Sequence, residues 1–168
     1  MSIVRQPQLI SLATFELIED GLADQLLVTW GHWLGGCKRP FGRQSFGLQL
    51  QGIGIISVAV SASTVNKRCG GYDRKKCVEL ARLASSPVYS WATRVCLRLW
   101  REIAPTVWPY WPVKACVSYQ DAVRHTGNIY RFDGWTKVAD VRGGKAGGNW
   151  GRGKRYGPKS VWAYEVGL

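Results

Sequence analysis

Cys77-Val-Glu-Leu-Ala-Arg-Leu-Ala84 runs directly into Ser85-Ser-Pro-Val-Tyr-Ser90, and a periodic apolar run follows as far as Ile103. How this stretch is read decides the fold. The first segment is apolar and short, which suits a strand at the centre of a sheet better than a helix of its own. Pro87 fits a first helical turn, where its missing N–H has no intrahelical partner to lose. Over 89–103, Tyr89, Ala92, Val95, Cys96, Leu99, Trp100 and Ile103 share one helical face, and Arg94, Arg98 and Arg101 share the other. Pro105, Pro109 and Pro112 are expected to close that helix. On the strand, Glu79 and Arg82 stand at i and i+3 and should point to opposite faces. One of them must then be paired or open on a cleft, because an isolated buried charge is too costly.

Working outward, residues 10–15 read as a short strand. Over 17–33, Leu22, Leu26, Leu27, Trp30 and Trp33 recur at helical spacing, and Gly35-Gly36 is the expected terminator. Residues 44–50 and 53–60 are β-prone runs joined at Gln51-Gly52, a hairpin. The polar stretch 61–76 reads as a mobile loop. On the other side, 113–119 is an apolar strand, 121–130 a short helix, and 136–141 and 160–166 two late strands. Between these last two, 142–159 holds seven glycines and six basic residues without an acid, and reads as a flexible basic loop. The order predicts a single α/β (α+β) domain over 1–168, a mixed central sheet flanked by helices.

The chain carries 23 Lys and Arg against 11 Asp and Glu, a net charge of +12. That balance favours a polyanionic partner, since neutralising phosphates releases condensed counterions. Nucleic acid leads and an anionic membrane trails. No apolar run approaches the roughly 18 residues of a membrane span, and no leader pattern opens the sequence, so a cytoplasmic protein is expected. A homodimer is left open. Five cysteines with no C-x-x-C pair suggest buried thiols, not a disulfide framework or a thiolate zinc site.

Three places could carry chemistry. The junction at 82–90 ends on a helix start, whose free N–H groups suit an anion, with Arg82, Glu79 and Ser90 beside it. Ser118-Tyr-Gln-Asp-Ala-Val-Arg-His-Thr-Gly-Asn-Ile-Tyr130 brings Ser118, Tyr119, Asp121, His125 and Tyr130 close together in sequence. Asp121 and His125 are four apart, so on a helix they would share a hydrogen bond that makes the imidazole a better base; the alternative is an N-cap Asp beside a surface His. The third place is Gly31-His-Trp-Leu-Gly-Gly36. His32, His125 and Asp121 could together supply a two-histidine, one-carboxylate metal set, and the other reading of His32 is structural.

The order of His32-Trp-Leu-Gly35, Glu79-Leu-Ala-Arg-Leu83, Pro87 to Ser90, Ser118-Tyr-Gln-Asp121, Gly127-Asn-Ile-Tyr130 and Gly134-Trp135 resembles that of the Mom family of phage DNA-modification proteins, a divergent branch of the GNAT (N-acetyltransferase-like) fold. The resemblance spans about 32–135. It implies transfer of a small acyl-derived, carbamoylmethyl-type group to N6 of adenine in DNA, which protects phage DNA from restriction, in the host cytoplasm. It also implies that Asp121, with His125, handles the amine proton, that Tyr130 protonates the leaving group, and that Ser118 and Tyr119 position the base. Arg82, with Glu79 and Ser90, would hold the donor. His32 and Trp33 would contact the nucleic acid, Arg94, Arg98, Arg101, Arg142, Lys145, Arg152, Lys154 and Arg155 would track its phosphates, and Trp33, Trp108 or Trp111 would stack on an extruded base. GNAT enzymes hold the coenzyme A pyrophosphate on a glycine-bearing turn. Ser85-Ser-Pro-Val-Tyr-Ser90 has no glycine, which leaves the donor between acyl-CoA and another activated acyl carrier. Two rival readings remain: a GNAT-fold acyltransferase for a protein or small amine, and a nucleic-acid-binding module without catalysis.

Overall fold

Residue 12 is the first that the computed structural model describes; the described residues are 12–39, 41–145 and 155–167. The chain runs β1 (Ala13–Ile18), α1 (Asp20–Thr29), β2 (Arg43–Leu50), β3 (Gly54–Ala62), β4 (Arg68–Cys69), β5 (Tyr72–Asp73), β6 (Cys77–Ser85), α2 (Ala92–Val107), β7 (Ala115–Asp121), α3 (Asn128–Phe132), β8 (Thr136–Val141), β9 (Gly144–Lys145), β10 (Arg155–Tyr156) and β11 (Lys159–Glu165). Seven strands form one sheet in the order β1-β2-β3-β6-β7-β11-β8. The architecture is the expected mixed α/β sheet flanked by helices. All its pairings are antiparallel except β6 with β7, which are parallel.

That one parallel pairing shapes the molecule. It covers only Cys77↔Ala115 to Leu80↔Ser118. Beyond it β6 stays with β3 as far as Ser85, and β7 stays with β11 as far as Asp121. Two strands held by different neighbours diverge, so the sheet splays open just past Leu80 and Ser118.

The sheet is covered on both faces. On one, α2 buries Ala92, Cys96, Leu97, Trp100 and Ala104 against Phe46, Ala59, Val78, Leu80 and Cys116. The Trp100 indole donates to Ser61 Oγ at 2.8 Å, so its one polar atom is satisfied in the core. On the other face, α1 sets Ala23 and Leu27 against Val58, Val60 and Ala62.

Several sequence expectations are corrected. The first helix ends at Thr29, not near residue 33, because Gly31 takes the left-handed conformation (φ 70°). Its N–H bonds Val28 O and that of His32 bonds Leu27 O, a Schellman stop that precedes Gly35-Gly36. Segment 61–76 is ordered, not a mobile loop: β4 and β5 form a small hairpin through Gly70-Gly71, and Ser63, Thr64 and Cys69 are buried. Pro105 lies inside α2 and does not close it. The carbonyl that Pro105 leaves without a helical donor, Arg101 O, accepts from the Cys116 thiol at 3.9 Å. Segment 121–130 is a turn followed by the five residues of α3, since the left-handed Gly127 (φ 77°) stands before the helix. Of 142–159, the described ends pair as β9 and β10, and 146–154 lies outside the described residues.

Candidate active site

Glu79 and Arg82 do not face opposite ways. The β3–β6 register slips by one residue between Val60 and Ser61, so Glu79 pairs with Ala62 and Arg82 with Val60. Ala62 and Val60 both face α1, and the extra residue of the bulge brings two side chains at i and i+3 to that same face. Glu79 is almost fully buried and its Oε1 accepts from Arg39 Nη2 at 2.6 Å. Burial pushes the Glu79 carboxyl above its ordinary range, against the pull of Arg39, Arg82 and Lys159. Its Oε2 and Arg39 Nη1 are buried with no hydrogen-bond partner among the described residues. Arg82 donates to the carbonyls of Gly35 (3.2 Å), Gly36 (3.3 Å) and Ala81 (2.6 Å). The role implied for Arg82, holding an anionic donor, is therefore corrected: its guanidinium is engaged by Ala81 O on its own strand and by two carbonyls of the α1–β2 loop, which it fastens over the strand.

That loop meets the turn after β7. The Arg124 guanidinium lies 4.8 Å from the centre of the half-exposed Trp33 ring, and His32 feels the charges of Arg82 and His125. Burial, then those two neighbours, lower His32 to about 4, so at neutral pH it is an uncharged imidazole. Its Nδ1 accepts from the Leu34 N–H at 3.3 Å. The second and third sequence-predicted places thus come together near Arg82. Tyr119 stands on the same face, its hydroxyl pushed up by burial and by Cys69 and Glu79.

On the α2 face, Tyr130 is stacked on Trp162 and set edge-on to Trp135, and its hydroxyl lies 2.8 Å from Ser118 Oγ. Ser118 Oγ donates onward to Leu80 O at 3.2 Å, so Tyr130 is the donor to Ser118. The chain Tyr130 to Ser118 to Leu80 closes the apex of the splay. Burial raises the Tyr130 phenol, its bond to Ser118 lowers it, and Glu79 raises it further. The phenol stays protonated, and the field of Glu79 reaches it. Between α2 and α3 a pocket of about 370 Å³ is lined by Trp91, Arg94, Val95, Arg98, Ile129, Phe132 and Asp133.

Other expected site residues fall elsewhere. Asp121 shares no hydrogen bond with His125: its Oδ1 accepts from the Val123 and Arg124 N–H groups (2.9 and 3.1 Å), and Oδ2 faces Arg124 Nε at 3.5 Å. The carboxylate holds a turn, so its implied use as a base is corrected. Among the described residues no three His, Cys, Asp or Glu side chains converge as a metal set, which removes the His32, His125, Asp121 proposal. Arg101 is buried against Asp133 and does not belong to an outer basic face; Arg94, Arg98 and Arg142 are exposed. Ser90 is exposed just ahead of α2. Lys145 and Arg155 stand on β9 and β10, and Arg152 and Lys154 lie outside the described residues. Trp108 is buried and the Trp111 indole donates to Cys77 O at 2.9 Å, so both are packing residues, unlike Trp33. Sequence reasoning missed Arg39 and Asp133, which carry no motif and act through long-range pairing.

A sheet opened between two parallel strands, with a long helix behind the first and a short one after the second, is the fold of the GNAT N-acetyltransferases. No protein-family model matches the sequence, and no curated protein matches it. Solved structures do match in shape. The ribosomal-protein-S18-alanine N-acetyltransferase from Escherichia coli aligns with a TM-score of 0.63 at 13% identity, over 94% of this chain and 96% of that one. The NAA60 protein of Arabidopsis thaliana, in complex with acetyl-CoA, aligns at 0.61 and 9% identity, over 92% and 99%. Spermidine N-acetyltransferase from Vibrio cholerae, with CoA and spermine, aligns at 0.59 and 10% identity, over 91% and 95%. No helix among the described residues is long and apolar enough to cross a membrane.

Proposed function

We propose that this chain is an N-acyltransferase that moves an acyl group from an acyl-CoA thioester to an amine. The observation that carries the reading is the splay itself, with Glu79 on one face of its apex and the Tyr130–Ser118 pair on the other. The donor supplies an activated acyl carbon and a thiolate leaving group. The α2–α3 pocket fits its nucleotide end: Trp91 and Phe132 offer aromatic faces and Arg94 an exposed cation. Glu79, raised by burial and kept in reach of ionisation by Arg39, accepts the proton of the attacking amine. Tyr130 holds its proton at Oη for the departing sulfur, and Ser118 fixes that hydroxyl at the point where the strands part. Past the last parallel pair, Leu80↔Ser118, the backbone of β6 no longer ladders with β7, and that opened edge suits polarisation of an acyl oxygen.

The test is release of free thiol from acetyl-CoA in the presence of spermidine, an N-terminal alanine peptide or plasmid DNA, with the product weighed by mass spectrometry. Tyr130→Phe should lower kcat about 10²-fold or more with the fold intact. Absence of thiol release with every amine would overturn the proposal.

Two observations favour a finer reading. A net charge of +12 and an exposed Trp33 carrying Arg124 suit a nucleic acid, and they agree with the Mom-like order of motifs, in which the amine is N6 of adenine in DNA. An altered deoxyadenosine in plasmid co-expressed with the protein supports it; unmodified nucleosides together with an acylated peptide or polyamine reject it in favour of the broader one.

A further inference from the structure

The end of the sheet opposite the splay carries exposed apolar side chains that acyl transfer does not use. β6 and β7 enter there side by side, at Cys77 and Ala115, and part at the other end, beyond Leu80 and Ser118. β2 begins and β3 ends at the same level, since Arg43 pairs with Ala62. Phe41, Val65 and Tyr110 stand on the loops around this end, each more than half exposed. The three adjoin one another. Arg74 donates to Val65 O while its guanidinium lies 4.8 Å from the centre of the Phe41 ring. Trp111, bonded to Cys77 O, brings Tyr110 to the same place, and a Cβ at Gly42 would sit 2.7 Å from the Tyr110 ring, so that ring lies on the backbone next to Phe41. A contiguous exposed apolar patch with a polar rim marks a contact surface.

The rim is cationic. Segments 65–76, 107–115 and 163–167, which build this end, hold Lys67, Arg68, Arg74, Lys75, Lys76 and Lys114 against Asp73 and Glu165. Asp73 accepts from the Lys75 N–H and Glu165 from the Tyr72 hydroxyl, each at 2.9 Å. Apart from Arg74 the cations are exposed, and none of those five is in an ion pair among the described residues. Charge selects a polyanion, and the side chains between the charges select which kind. Four of the five are lysines, point charges without the planar fork that grips a phosphate or a base edge. Val65 offers a nucleic acid nothing, and the Phe41 and Tyr110 rings are already met by Arg74 and by Trp108. A bilayer takes this mixture: apolar tips enter the headgroup–acyl boundary and lysines meet anionic headgroups.

We propose that this end of the molecule docks on an anionic lipid bilayer, with Phe41, Val65 and Tyr110 entering the interface and the lysines around them lying against the headgroups. The splay, at the far end of β6 and β7, then faces away from the membrane.

The experiment is co-sedimentation of the full chain with vesicles of phosphatidylcholine, with and without phosphatidylserine, beside fluorescence anisotropy of a labelled DNA duplex. Vesicle binding should need phosphatidylserine and fall as salt rises. A cation near such a surface is worth about five-fold in partition, so Lys75→Ala/Lys76→Ala should weaken vesicle binding at least about ten-fold. Val65→Ser should weaken it about five-fold and leave the duplex unaffected, because only a bilayer takes up the aliphatic tip. Equal binding to vesicles without phosphatidylserine, binding to neither, or vesicle affinity unchanged in either variant overturns the proposal, as does a Val65→Ser loss confined to the duplex. No acyl donor is present, so the outcome is independent of the acyl-transfer reading.

Discussion

Asp133 is the residue whose loss the structure prices most directly. Its carboxylate is nearly buried, at 8% side-chain exposure, and takes Arg101 Nε at 2.6 Å and Arg98 Nε at 3.0 Å. It also accepts from the Trp135 indole at 3.1 Å. Arg101 is as buried, with its guanidinium 4.2 Å from the centre of the Tyr164 ring. Asp133→Ala leaves that guanidinium with only Glu102, whose side chain is 61% exposed. Breaking a buried pair from one side costs about 3–5 kcal/mol. The pairing to Glu102 returns at most about 1 kcal/mol, so a loss near 3 kcal/mol remains. For a chain of this size that lowers Tm by about 6–12 °C, read by calorimetry or by the far-ultraviolet circular dichroism melt. Arg98→Ala removes the exposed arm and should cost under about 1 kcal/mol. Asp133→Ala/Arg101→Met removes both buried charges and should recover much of the loss. A single variant within about 1 kcal/mol of the parent, or a double variant no better than the single, would refute the account.

Three further outcomes follow from the same structure. Gly127→Ala should destabilise by about 2 kcal/mol in denaturant unfolding, because φ is +77° and a Cβ would sit 2.5 Å from Gln120 Oε1 and 2.6 Å from the Trp162 ring, prising apart the bond between them; a neutral effect would show that the turn yields freely. His32 is depressed from 6.5 to about 4, so the stability it contributes is complete above pH 6.5 and lost as pH falls through about 4. His32→Gln should therefore flatten the acid side of the stability profile by about 2 kcal/mol, allowing for partial exposure, and a parallel profile would contradict this. All five thiols are buried, and burial pushes Cys69 to about 11 and Cys77 to about 12, so a disulfide reagent should label them only on unfolding; rapid labelling of the native protein would count against the packing.

The fold was legible where local signals and tertiary structure agree. The eight residues from Cys77, the hairpin at Gln51-Gly52 and the amphipathic run behind Pro87 each show their element through period and punctuation. The misreadings share one cause. Gly31, not Gly35, stops α1 because a Schellman stop needs only the first glycine that can turn left-handed after the last packed residue, Leu27. Segment 61–76 is polar in composition, yet it is ordered by burying Ser63, Thr64 and Cys69 against strands far away in sequence. Pro105 stays within its helix because Cys116, on another strand, takes the carbonyl it frees.

The site was legible in its parts and not in its wiring. Ser118, Tyr119, Tyr130, His32 and Trp33 were singled out by residue type, and the fold does gather them around the splay. The Asp121–His125 hydrogen bond was misread because spacing on an imagined helix favoured it, whereas a carboxylate followed by two free N–H groups satisfies them first and makes a turn. Glu79 was read as facing away from Arg82, and nothing in eight residues of strand announces a bulge, which belongs to the register with β3. Once the bulge is allowed for, the arithmetic of charge changes: a carboxylate thought to share a central strand with an unpaired arginine becomes a buried acid bridged by Arg39 from a loop forty residues earlier. Burial raises that acid above its ordinary range, and the charges of Arg39, Arg82 and Lys159 pull it back.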